Sequence, residues 1–333
     1  MNVTHFSENI MVDVVVAVYN HQPYIQQALE SILMQDVDFE FRIIVHDDAS
    51  TDDSKKIIEE YVQRHPDKFV FISQKENQYS KGISISTFYI PQLRAKYVAF
   101  CEGDDYWTDP LKLKKQVDFL ENNPQYIAST HNIRVIDDKD VQLSDGAHVY
   151  PMFDTYVFTL RDMEKGRLPG QTASLVHHNF WLYEKEETKT AFMKCQANGD
   201  IKMMTLLAVK GDIYCMKETM ADHRKITENG DSWSARTKNR NMRYFHYRSL
   251  VNINEFLFQS YGITINNEQR LRSIIKSSFT TLIKQPSRDN YDNIKAIYSI
   301  NKVETLYSVV DLAGSVLTYP YKKVREIIKE KHG

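Results

Sequence analysis

The first half of the chain alternates short apolar runs with amphipathic stretches, the pattern of a sheet built from strand–helix units. Val12-Asp13-Val14-Val15-Val16-Ala17-Val18 is β-branched and nearly unbroken, as a strand buried on both faces should be. Residues 23–34 follow with apolar side chains at Ile25, Ala28, Leu29 and Ile32, a helical spacing with Pro23 in the first turn. Residues 41–45 predict a second strand ending in His46-Asp47-Asp48. Ser50-Thr51-Asp52-Asp53 then supplies cap hydroxyls and first-turn acids for a helix carrying Ile57, Ile58, Tyr61 and Val62. Further strands are expected at 68–73 and 96–101, and an amphipathic helix at 111–120 stopped near Asn122-Asn123-Pro124.

From about residue 240 the alternation gives way to helices with aromatic and basic decoration, expected at 244–261, 268–284, 291–300 and 303–331, with Gly262 and Gln285-Pro286 marking ends. The expected organisation is an α/β domain over residues 1–235 and a helical region over 236–333.

Polar loops close the predicted strands: Tyr19-Asn20-His21 after the first, Asp47-Asp48-Ala49-Ser50 after the second, and the segment 102–107 after the fourth. In an open parallel sheet a ligand sits beyond the carboxyl ends of the strands, so these loops should line one crevice. Glu102-Gly103-Asp104-Asp105 gathers carboxylates that repel one another unless a divalent cation neutralises them, although Gly-Asp-Asp also suits a tight acidic turn. No GxGxxG and no GxxxxGK[ST] occurs, so neither a dinucleotide fingerprint nor a P-loop is available.

Composition narrows the classes. Lys and Arg total 42 against 44 for Asp and Glu over 333 residues, so no global charge favours nucleic acid. Cys101, Cys195 and Cys215 are odd in number and far apart, without a CxxC pair, which suits a reducing compartment. The N-terminus lacks a basic n-region and an apolar h-region, and no stretch approaches the roughly 18 apolar residues of a membrane span. The expectation is a cytoplasmic protein, soluble or peripheral at the inner membrane face.

These motifs resemble glycosyltransferase family 2, nucleotide-sugar enzymes of the GT-A fold, a Rossmann-like, mostly parallel sheet flanked by helices. Val18-Tyr19-Asn20 is similar to the family's first-strand signature. Asp47-Asp48-Ala49-Ser50-Thr51-Asp52-Asp53-Ser54 is similar to its Asp-Asp-x-Ser turn, and Glu102-Gly103-Asp104-Asp105 stands where its DXD motif stands. The continuation through Tyr106-Trp107-Thr108-Asp109-Pro110, Lys112 and Gln116 is similar to a bacterial subset that makes surface polysaccharides. The resemblance covers about residues 11–225.

It implies that Asp48 contacts a uracil base, that Tyr19, next to Asn20, lies beside the nucleotide, and that Glu102 holds the ribose. It further implies that Asp104 ligates Mn²⁺ or Mg²⁺ with Asp105 in support. Relatives usually have Asp at the position of Glu102, and Ser86-Thr87 replaces an Arg-Asn pair, leaving Lys81 as the nearest basic substitute. His223-Arg224-Lys225 is a partial match to a Tyr-Arg-x-His element. Arg224 keeps its place as a diphosphate candidate, while no His metal ligand carries over. Gly170-Gln171-Thr172 reads as an acceptor-side loop, with Thr172 and Ser174 as hydroxyls within sugar reach, and Trp233 as part of a closing loop.

Asn198-Gly199-Asp200 opens a helix carrying Ile201, Met204, Leu207 and Ala208. By residue chemistry alone Asp200 reads as a cap or first-turn acid. With the resemblance it reads as the catalytic base of an inverting transfer from a UDP-sugar to a glycan or lipid-linked glycan hydroxyl. A sugar-phosphate nucleotidyltransferase and a non-catalytic sugar-binding protein are the alternatives. The first would want a Gly-rich basic loop where Tyr19-Asn20-His21-Gln22-Pro23 stands. The basic residues Arg236, Lys238, Arg240, Arg243 and Arg248 and the segment 321–325 suit either anionic headgroups or a solvated surface, and helix packing could make a homodimer.

Overall fold

In the computed structural model, which describes residues 9–143, 154–226 and 242–300, β1 (Ile10–Val18), β2 (Glu40–Asp47), β3 (Phe69–Ser73) and β4 (Tyr97–Phe100) pair in parallel in the order β3-β2-β1-β4. The expected parallel order ends there. Beyond β4 the sheet is mixed: β8 (Val176–His178) is antiparallel to both β4 and β6 (Tyr126–Ile136), which runs parallel to β9 (Asp212–Arg224). Two short strands, β5 (Tyr106–Trp107) and β7 (Tyr156–Phe158), pair antiparallel with β9. The described residues thus form one nine-stranded sheet with helices on its faces, the architecture of the GT-A fold.

The near-continuous apolar character of β1 has the expected cause. Val12, Val14, Val16 and Val18 pack on one face with Ile25, Ala28, Leu29 and Ile32 of α1 (Ile25–Leu33) and with Ile58 and Tyr61 of α2 (Ser54–Arg64). Val15 faces the other side, where Ile44, Val98 and Phe100 meet Tyr89 of α3 (Ser86–Tyr89), Phe192 of α6 (Glu186–Lys194) and Met203, Met204, Leu206 and Leu207 of α7 (Gly199–Lys210). With both faces covered, neither face of β1 needs polar residues. A short helix, α5 (Leu160–Glu164), opens with a capping box between Thr159 and Asp162.

α4 (Lys112–Asn122) carries Leu113, Val117 and Leu120 into the first face and, unexpectedly, Lys112. The Lys112 ammonium is fully buried, donates to Gln116 Oε1 at 2.8 Å and lies 4.1 Å from the centre of the Trp107 ring. Burial pushes its pKa down to about 7. Unfolded chains keep this lysine protonated to about pH 10.4. The folded state therefore binds fewer protons across the window from about 10.5 down to about 7, and stability is lost as pH falls through it. The Lys112 share of the urea-unfolding free energy, read as wild type minus Lys112→Met, should grow by about 1–2 kcal/mol between about pH 7 and about pH 8.5, against the opposite drift of His223 present in both proteins. Parallel pH profiles of the two proteins would remove Lys112 as a source of pH dependence.

Three helices follow: α8 (Arg243–Tyr261), α9 (Glu268–Lys284) and α10 (Arg288–Ile300), close to the spans expected from sequence. Gly262, at φ 67, ends α8 in the left-handed conformation that glycine tolerates. α8 is not a detached appendage, because Ile253, Phe256 and Leu257 enter the same apolar cluster as α6 and α7. Tyr247, Ile275 and Ile297 join α8, α9 and α10 in a smaller cluster. The 235/236 boundary, Trp233, Arg236, Lys238, Arg240, the helix expected at 303–331 and the basic segment 321–325 lie outside the described residues. Among the described residues no helix is long and apolar enough to cross a membrane.

Candidate active site

The acidic tetrad forms the tight turn that Gly-Asp-Asp suits. Cys101 N–H and Gly103 N–H donate to the carbonyls of Val15 and Ala17, carrying the β1–β4 ladder past β4, and Asp105 N–H closes a tight turn on the Glu102 carbonyl. Gly103 is required by close approach: a Cβ there would stand 2.7 Å from His21 Nδ1 and 3.2 Å from the Ala17 carbonyl. The turn feeds into β5, whose pairing with β9 sets Tyr106 opposite Asp222. That register delivers His223 and Arg224 to the turn.

Asp105 is the hub. Its buried carboxylate accepts from Arg224 N–H at 2.8 Å, Gln171 Nε2 at 2.9 Å and His223 Nδ1 at 3.1 Å. Gln171 Nε2 also donates to Glu102 Oε2 at 3.1 Å. The Gln171 amide is oriented by Ala173 N–H, which donates to its Oε1, so the NH₂ group must face the acids. Glu102, Asp105 and His223 bring ligand atoms within 4.8 Å of one another, a donor set of two carboxylates and an imidazole. That set fits a divalent cation such as Mn²⁺.

The electrostatics agree with a site short of positive charge. Glu102 is held well above the usual carboxylate range, first by burial and then by Asp200, Asp105 and Asp104. Asp104 is raised by burial, with His21 opposing. Burial disfavours the His223 imidazolium, yet Asp105, Glu102 and Asp104 outweigh it and lift the pKa to about 9. The imidazolium is the local counter-ion of the cluster.

Asp200 reaches this cluster from α7. The cap is Asn198, whose side chain accepts from the N–H groups of Asp200 and Ile201 at 3.1 and 3.3 Å. Asp200 is therefore a first-turn residue with its carboxyl available. Burial raises its pKa, the Thr172 hydroxyl and His223 lower it, and Asp105 raises it again.

The other predicted residues sit differently. Asp104 lies outside the Glu102–Asp105–His223 group, with its carboxylate 3.8 Å from His21 Nε2. The Arg224 guanidinium is buried and engaged: it donates to the carbonyls of Asp104 and Asp137, to Gln27 Oε1 and to Asp140 Oδ1, and lies 4.4 Å from the Tyr24 ring centre. These bonds tie the guanidinium to the acidic turn. Asp48 accepts from the N–H groups of Gln78 and Tyr79 at 2.7 and 3.0 Å, which anchors the loop that carries Lys81. Beside it, Asp47 Oδ2 is buried with no hydrogen-bond partner. Lys81 is exposed and pairs with Glu76. Half-buried Tyr19 stands at the end of β1, and Asn20, at φ 55, accepts from Thr51 N–H at 2.8 Å. Sequence reasoning missed Gln171 and gave His223 no metal role.

The family described as Glycosyl transferase family 2 matches residues 13–189, from β1 through the loops after β2 and β4 to α6. The uncharacterized protein Rv1520 of Mycobacterium tuberculosis is 32% identical over 210 residues, 62% of this chain and 56% of its own length, so the chain spans little more than half of that relative. The minor teichoic acid biosynthesis protein GgaB of Bacillus subtilis is 24% identical over 80% of this chain and 28% of its own length. Among solved structures, residues 1–349 of S. aureus TarS in complex with UDP-GlcNAc share the fold at TM-score 0.62 and 16% identity, covering 86% of this chain and 79% of that one. With the match spanning more than half of its residues, the chain belongs to glycosyl transferase family 2.

Proposed function

We propose that this chain is a metal-dependent, inverting glycosyltransferase that moves a sugar from a UDP-sugar to a hydroxyl of a bacterial surface-glycan precursor. The observation that carries this reading is the convergence of Asp200, freed from capping by Asn198, with Glu102, Asp105 and His223 at one strand-end crevice. The relation to GgaB and the fold shared with TarS support the surface-glycan and UDP-sugar parts.

Asp200 accepts the proton of the acceptor hydroxyl as its oxygen bonds to the anomeric carbon, while the bond from that carbon to the diphosphate oxygen breaks. Attack from the face opposite the diphosphate inverts the anomeric configuration. Glu102, Asp105 and, once it has lost its proton, the His223 imidazole would hold a divalent cation, which when bound would offset the charge of the departing UDP. Asp104 lies next to this set on the His21 side. The loops after β1 and β2, carrying Tyr19, Asn20 and Asp48, receive the nucleoside, with Lys81 nearby on the loop that Asp48 anchors.

Calorimetric titration with UDP checks the donor and metal assignments together. Wild-type protein should bind UDP more tightly with Mn²⁺ than in chelator, and His223→Ala or Glu102→Gln should lose about 10–100-fold of that metal-dependent gain. If both variants keep the whole gain, the cation sits elsewhere. UDP release from a panel of UDP-sugars tests the transferase assignment itself, and a chain that binds UDP but cleaves none of them would return the site to a binding role.

A further inference from the structure

Against Glu102 and Asp200 lies a cavity of about 90 Å³, walled by Val15, Phe100, Leu175, Phe192, Met203 and Met204 on its apolar side. A single water needs only about 10–15 Å³ by this measure, and close-packed interiors leave few voids larger than that. The space therefore exceeds a packing defect, and it adjoins the carboxylates that would flank the anomeric carbon.

Its wall is chemically divided. Most of the lining is apolar, and a sugar hydroxyl pressed against it would lose water without a partner. Its polar lining is Ser84, Ser86, Thr172 and Lys202 beside Glu102 and Asp200, with Lys202 Nζ turned to the Phe192 and Cys195 carbonyls. The Ser84 and Ser86 hydroxyls bond to each other at 2.8 Å, an arrangement that uses one donor and leaves one O–H and several lone pairs for a guest. A group that suits this wall has a small apolar end plus one N–H and one carbonyl.

We propose that the cavity seats an acylamino substituent of the donor sugar, so that the transferred unit is an N-acylated amino sugar rather than a plain hexose. The acyl methyl lies on the Phe192 and Met203 side, and the amide meets the Ser84–Ser86 pair. The inference rests on the glycosyl-transfer reading above and specifies its substrate class.

Steady-state UDP release with UDP-N-acetylhexosamine, the parent UDP-hexose, the free-amine UDP-hexosamine and a UDP-6-deoxyhexose tests it. The N-acetyl donor should exceed both the hexose and the free-amine donor by about 10-fold or more in kcat/KM. In Ser84→Val, a half-buried position that tolerates the added methyl, the N-acetyl to hexose ratio should fall by about 10-fold, while calorimetric UDP affinity reports that the fold and nucleotide site persist. A hexose or 6-deoxyhexose turned over as well as the N-acetyl donor, or a ratio untouched by Ser84→Val, overturns the acylamino assignment and leaves the transferase reading standing. Absence of both UDP binding and UDP release removes both.

Discussion

An Asp200→Asn variant is expected to bind UDP like the wild type, to bind the cation at least as tightly, and to lose about 10²–10⁴-fold in the rate of sugar transfer. The amide keeps the shape of the side chain but cannot accept the acceptor's proton. Folding should survive, because the helix cap is provided by Asn198 and not by Asp200. Asp200 is also a source of the repulsion that raises Glu102, so the variant should let Glu102 ionise more readily. Comparing kcat with KM for the acceptor separates the two effects: a base acts on kcat. Transfer near the wild-type rate would show that the proton leaves by another route.

Gln171→Leu should be the most damaging change among residues that touch no substrate in the proposed scheme. One NH₂ group bridges Glu102 and Asp105, and its loss leaves two crowded carboxylates with fewer donors in a site where burial already disfavours charge. We expect cation affinity to fall about 10–100-fold, with unfolding made easier by about 1–3 kcal/mol. Gln171→Glu discriminates a positioning role from mere packing, since it keeps the size but replaces a donor by a further acid. It should be poorer than Leu in metal-free protein and regain part of the difference when Mn²⁺ is added. Equal behaviour of the two variants, with and without cation, would reduce Gln171 to a space-filler.

The parallel half of the sheet was legible because its strands are apolar on both faces, and the helices between them carry a clean 3.6-residue period. The mixed half was not. β6 contains Ser129, Thr130, His131, Asn132 and Arg134, and a strand with that many polar residues has no apolar signature to read. Several of those residues have tertiary partners: Gln116 bonds Ser129, Asn132 donates to the Lys217 carbonyl and Arg134 pairs with Asp222, while His131 Nε2 is buried with no hydrogen-bond partner. The same non-local pairing explains the site. Nothing local marks His223 as a neighbour of Asp105, 118 residues away, until β5 and β9 are set in register. Gln171 is invisible for a different reason, having no charge of its own; the one available signal was its place after Gly170 in a turn that must bury its polar groups. The orientation of Arg224 was not legible, because a basic residue near an acidic turn can face a ligand or the turn itself with equal sequence logic; here its Nε–H donates to the Asp104 carbonyl.

The loops after β1 and β2 are cross-stitched: Asn20 N–H bonds Ser50 Oγ, His21 N–H bonds Ser54 Oγ, Gln22 N–H bonds Asp52, and Thr51 N–H and Asp53 N–H return to Asn20 and Gln22. Two segments about 30 residues apart therefore behave as a single rigid rim. If the nucleoside is received there as proposed, it has little chain left to freeze, so the entropy of shaping that rim is spent once, at folding, and is not charged to every turnover. Substitution on either loop is correspondingly felt on both, so the two loops act as one mechanical unit.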